Sequence, residues 1–157
     1  MRPSARELIE GVVVALERDV APQVADRWAA SALRSAVQLL NHLAVRVESE
    51  AALLIEDNAD ARAVLARVAA RLGSSADSAA LRTVIDAALR SAEPPPHDTV
   101  RLDAANEVLQ GVIDRVLRER PALAEPDVIH DELRAYLRRR LEREHPLCFP
   151  VFTGAPF

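Results

Sequence analysis

The chain predicts an all-α fold: a helical bundle of five to six helices with a long second helix and an extended Phe-rich C-terminal tail. Three observations lead there. Apolar residues recur at three- and four-residue spacing along nearly the whole chain. No stretch alternates apolar and polar residues with period two. Prolines and glycines gather at a few points between the periodic segments, as they do between helices.

The first helix opens on a capping-box pattern, Ser4 followed three residues later by Glu7. Leu8, Ile9, Val12, Val13, Leu16 and Val20 then share one face, and Pro22 ends this helix or opens the next. The second helix is the longest, predicted from near Val24 to near Asp57. Leu33, Val37, Leu40, Ala44, Val47, Ala51 and Leu54 follow a four-three alternation, a heptad-like seam. Glu56, Asp57 and Asn58 are the expected break, the alternative being a helix that continues through them. A third helix carries Ala61, Val64, Leu65, Val68 and Leu72, with Gly73 as a left-handed stop. The fourth, from Asp77 to Ala92, presents Leu81, Val84, Ile85, Ala88 and Leu89. Three consecutive prolines at 94–96 form a stiff spacer. The fifth helix presents Leu102, Ala105, Val108, Leu109, Val112, Ile113, Val116 and Leu117 and ends before Pro121. The sixth begins near Asp127, turns Ile129, Leu133, Tyr136, Leu137 and Leu141 inward and stops at Pro146.

A chain of 157 residues suits one domain with its own core. It divides into N-terminal helices at 1–92, the spacer at 93–97, a C-terminal helical pair at 98–146 and the apolar tail at 147–157. The net charge of −4 gives no attraction to nucleic acid, and no apolar run is long enough to span a bilayer. One cysteine excludes an internal disulfide, and the N-terminus lacks the apolar core of a signal peptide, so a cytoplasmic location is expected. All 20 basic residues are arginine. Without lysine there is neither Schiff-base chemistry nor a P-loop.

The opening Arg2, Pro3, Ser4 and Ala5, followed by Asp19, Val20 and Pro22, resembles the start of a family of small bacterial all-helical proteins of unknown function. An Ala-rich segment from Arg27 to Leu33, a helix with Asn106 and Leu109, and a last helix ending near Pro146 extend the likeness to both halves. The longer middle at 56–96 and the Phe-rich tail depart from it. Genes of that family often neighbour phosphotransferase-like and acyl-CoA dehydrogenase-like genes, which implies an accessory role. The resemblance supplies no catalytic residues.

No catalytic constellation, cofactor motif or metal site is expected. Glu142 and His145 have the Glu-x-x-His spacing of di-iron bundles, but His42, His97 and His130 lack a glutamate three residues earlier. Asn41 and His42 flank the seam of the second helix, where they set register or, in the functional reading, contact a ligand. Glu48, Glu50, Glu56, Asp57 and Asp60 read as a solvated face. Arg138, Arg139 and Arg140 give the last helix a basic side suited to a phosphate or CoA-type anion, against which acidic neighbours at three- and four-residue spacing predict local salt bridges. Cys148 sits among apolar neighbours that raise a thiol's pKa, so no nucleophile is expected there.

Phe149, Phe152 and Phe157 are the chain's only phenylalanines. Such a tail either docks on its own bundle or homodimer partner, filling a core poor in aromatics, or anchors on another protein. The resulting expectation is a non-enzymatic helical accessory domain acting as a homo-oligomer or with a partner enzyme. The alternative is a small-molecule-binding bundle in which Arg138, Arg139 and Arg140, or else His42, contact an acidic or acyl/CoA-type ligand.

Overall fold

A computed structural model describes residues 3–91, 93–119 and 125–148. Phe149, Phe152 and Phe157 lie outside the described residues. Five α-helices follow one another: α1 Ala5–Ala15, α2 Arg27–Arg71, α3 Ala76–Arg90, α4 Thr99–Arg118 and α5 Pro126–Cys148. A π-helical turn, Leu16–Val20, and a 3-10 turn, Ala21–Gln23, join α1 to α2. There is no strand among the described residues. No described helix is long and apolar enough to cross a membrane.

The expected second and third helices are one. α2 runs for 45 residues straight through Glu56, Asp57 and Asn58. The reason is that Asp57 and Asn58 are buried and bonded to groups on other helices, so their side chains do not compete for the local backbone. Gly73 takes no left-handed conformation either. The end of α2 is closed instead by Arg82, which donates to the Leu72 carbonyl at 2.7 Å. Arg62 does the same for α3, donating to the carbonyls of Leu89 and Ser91, both at 3.0 Å. Pro146 does not stop α5, which continues to Cys148. A proline this close to a helix end forfeits a single hydrogen bond.

The described residues form two compact units, 3–50 with 144–148, and 51–143. The division falls inside α2 and not at the proline spacer. In the first unit the Ser4 hydroxyl accepts from the Glu7 N–H at 3.1 Å while the Glu7 carboxylate accepts from the Ser4 N–H at 2.7 Å, completing the predicted capping box. Asp26 caps α2 by accepting from the Ala29 N–H at 2.7 Å. Arg6 bridges Glu10 and Glu48 at 2.7 and 2.9 Å. Burial there is sparse: Val13, Val37 and Ala44 are covered. Leu8, Val12 and Val20, expected inside, are exposed, as is Val47 of the predicted seam.

The second unit holds the dense core. Ala61, Val64, Leu65, Val68 and Leu72 of α2 meet Leu81, Ile85 and Ala88 of α3, Leu109, Val112, Ile113 and Val116 of α4, and Ile129, Leu133 and Tyr136 of α5. Val108 and Leu141, expected inward, face solvent.

Candidate functional site

The second unit contains a polar cluster at one end of its apolar core. Its centre is the Asp57 carboxylate, 7% exposed as a residue. One oxygen, Oδ2, accepts from Asn106 Nδ2 at 2.7 Å, from the Tyr136 hydroxyl at 3.0 Å and from Gln110 Nε2 at 3.2 Å. The other, Oδ1, accepts from the Arg143 guanidinium at 2.6 Å. Arg140 Nε stands 3.8 Å away. Asn58 accepts from the same Asn106 amide at 3.0 Å and donates to the Leu102 carbonyl at 3.0 Å. The Gln110 amide also donates to the Tyr136 hydroxyl.

One helical turn further along α2, Asp60 receives Arg139 as a two-pronged fork at 2.7 and 3.0 Å and Arg143 at 3.1 Å. Arg143 thus joins the two carboxylates. Fork geometry gives such pairs more strength and direction than a lysine would provide. Two carboxylates against three guanidiniums, with neutral amides filling the remaining lone pairs, is the arrangement that allows charge to be taken out of water.

These contacts correct two expectations. Asp57 and Asp60 are not part of a solvated acidic face. Arg139 and Arg143 bond across to α2, in place of salt bridges confined to their own helix. The Arg139 guanidinium holds the Asp60 carboxyl below the usual aspartate range. The contribution of this bridge is complete above the unfolded aspartate value, about 3.9, and is lost as pH falls through the lowered folded value. Asp60→Asn is expected to flatten the loss of stability below about pH 4 relative to the parent chain, read by chemical denaturation across the acid range. An equally steep acid loss in the variant would reject the assignment.

His42 belongs to the first unit, and Arg138, Arg139 and Arg140 belong to the second. His42 is half-buried, and its Nδ1 is buried without a hydrogen-bond partner. Arg138 is exposed, Arg139 is engaged by Asp60, and Arg140 approaches Asp57. Among the described residues no group of three His, Cys, Asp or Glu side chains is placed to hold a metal ion.

The cluster carries a sequence signal that the helix-by-helix reading passes over. The four-three alternation of α2 does not end at Leu54; it continues through Asn58, Ala61, Leu65, Val68 and Leu72. In α4 the same alternation takes Leu102, Asn106, Leu109, Ile113 and Val116, and in α5 Ile129, Leu133, Tyr136, Arg140 and Arg143. Each seam admits polar residues at one level, and those levels meet in the fold. Chemically the centre is closed. Asp57 has four hydrogen-bond donors upon it, which leaves little room on the carboxylate for a substrate group.

Comparison with protein-family models, with characterised proteins and with solved structures returned no match. The site must be read from its own chemistry.

Proposed function

We propose that this chain is a non-enzymatic helical accessory module that works by binding protein surfaces, as a homo-oligomer or together with a partner enzyme. The observation that supports this most is the uneven cover of its apolar side chains. The second unit buries its core and engages the Asp57 and Asp60 carboxylates with its own groups. The first unit leaves Leu8, Val12, Trp28, Leu39, Leu43 and Val47 in water, with Trp28 73% and Leu39 67% exposed. Apolar surface concentrated in this way marks interaction sites. The alternative, an acidic or acyl ligand on Arg138, Arg139 and Arg140, has less support, since Arg139 is already committed to Asp60.

Leu39→Arg is the direct test, because the residue is exposed and its replacement leaves the core intact. Tagged wild-type chain from its native host is expected to elute as a stoichiometric assembly, with itself or another protein. The variant, with unchanged helicity by circular dichroism, is expected to elute alone. A wild-type chain that elutes alone, or an assembly indifferent to Leu39→Arg, rejects the reading.

A further inference from the structure

We infer that residues 149–157 of the same molecule lie extended along an exposed apolar row of α2, with Phe152 and Phe157 against Ala32, Ala36, Leu39 and Leu43. The consequence rests on the interaction reading above: a partner reaches this row by displacing the tail.

The course of α5 is the first ground. It runs antiparallel to α2: Glu132 meets Arg67 and Arg71 at 2.9 and 3.0 Å, Arg139 meets Asp60 at 2.7 Å, and Arg143 meets Asp57 at 2.6 Å. Each step toward the end of α5 is thus a step toward the start of α2. Residues 144–148, from which the tail departs, belong to the same compact unit as residues 3–50. The tail therefore begins inside the unit that holds the row.

Side and reach are the second ground. Leu39 stands 18 residues before Asp57, about five full turns, and so points the way that Asp57 points to receive Arg143. Ala32, Ala36 and Leu43 fall within about 60° of that direction. All four are exposed, while Val37 and Ala44, on another side of the helix, are covered within the unit. Arg46 and Glu50, which come before the row on the way from α5, bond to each other at 3.0 Å. In the register of the α2–α5 ion pairs, Cys148 falls near the level of Glu50. Nine extended residues reach about 30 Å, the length of about 20 helical residues. That brings Phe152 level with Leu39 and Leu43, and Phe157 level with Ala32.

Chemistry is the third ground, because it changes on both strands of the contact together. Through Arg143, α5 sets charge against opposite charge on α2. Residues 149–157 carry no charge and all three phenylalanines, and the row that they can reach carries no charge either. Ala32 and Ala36 leave depth for a phenyl ring that larger side chains would fill. Pro150 and Pro156 restrict the backbone to extended forms and so reduce the entropy lost on docking. A tether this short also holds the segment at an effective concentration of about millimolar. A contact too weak to join two dilute copies therefore still closes within one.

Paramagnetic relaxation in the full chain tests this. Cys148→Ser with Thr153→Cys provides one attachment point for a nitroxide, beside Phe152, and keeps every phenylalanine. In isotope-labelled chain carrying the nitroxide, the amide signals of Ala36, Leu39 and Leu43 are expected to lose most of their intensity. They are expected to keep it when nitroxide-bearing chain without isotope is mixed with isotope-labelled chain without nitroxide. Leu39→Arg is expected to restore the signals of Ala36 and Leu43, with helicity unchanged by circular dichroism, while Leu39→Met leaves them quenched. Full intensity in the chain bearing its own nitroxide, quenching as strong in the mixture, or quenching indifferent to Leu39→Arg would each overturn the contact. The second of these outcomes would assign the row to the tail of another copy. Unquenched signals in a chain that still elutes from its host as an assembly lost on Leu39→Arg overturn the tail contact alone. Quenched signals in a chain that elutes alone uphold the contact and reject the interaction reading.

Discussion

Asp57→Ala is expected to destabilise the chain by about 3–5 kcal/mol, the usual cost of breaking a buried ion pair from one side. For a chain of this length that corresponds to a fall in Tm of roughly 10–15 °C. The size follows from what the deletion leaves behind. Arg143 would lose its 2.6 Å contact, and Tyr136, Asn106 and Gln110 would lose their shared acceptor. All are buried or half-buried, so water does not replace the missing carboxylate freely, and each unsatisfied group adds its desolvation cost. The cluster is one network, and the loss will not equal the sum of separate deletions. Thermal unfolding followed by circular dichroism measures the effect. A fall of less than about 1 kcal/mol would mean that the cluster behaves as a solvated surface pair.

Alkaline titration should produce the second large effect. Burial pushes the Tyr136 hydroxyl up to about 12, against about 10 for a free tyrosine, and the hydrogen bond from Gln110 only partly opposes it. A raised acid favours its protonated form in the folded state. Its contribution is therefore complete below pH 10 and is lost as pH rises through about 12. The difference is worth on the order of 3 kcal/mol once both states are ionised. The chain has a single tyrosine, so tyrosinate absorbance reports this residue without interference. Folded protein is expected to titrate near 12, and denatured protein near 10. Tyr136→Phe should abolish the signal and cost about 1 kcal/mol at neutral pH, the price of one hydrogen-bonded hydroxyl. Ionisation near 10 in chain that is still helical would contradict the buried placement.

Most of the helical framework was legible in the sequence, because periodicity and capping act locally. Ser4 and Glu7 announce the start of α1, and the apolar spacing from Leu81 to Leu89 and from Leu102 to Val116 marks α3 and α4. The errors lie where tertiary contacts decide. Asp57 and Asn58 have weak helix propensity and read as a break, yet partners 44 to 86 residues away in sequence keep them helical. Gly73 reads as a stop, but Arg82 does the capping. Val108 and Leu141 occupy apolar positions of their helices and still face solvent, since periodicity says which side of a helix is apolar and not how far its neighbours reach. The polar centre was the least legible part. Reading each helix for its apolar residues alone conceals polar residues that share their register.

A core built mainly from leucine, valine and isoleucine discriminates poorly between alternative alignments of its helices, because one such side chain fits nearly as well as the next. The polar layer around Asp57 removes that degeneracy. Sliding α4 or α5 along α2 by seven residues would keep leucine near leucine while setting Arg143 or Asn106 against Ala51, Val64 or Leu65. Every such slip strands a buried charge or amide, so the misaligned states lie well above the native one. The layer thus encodes which of several near-equivalent packings is populated, information that the apolar residues around it do not contain.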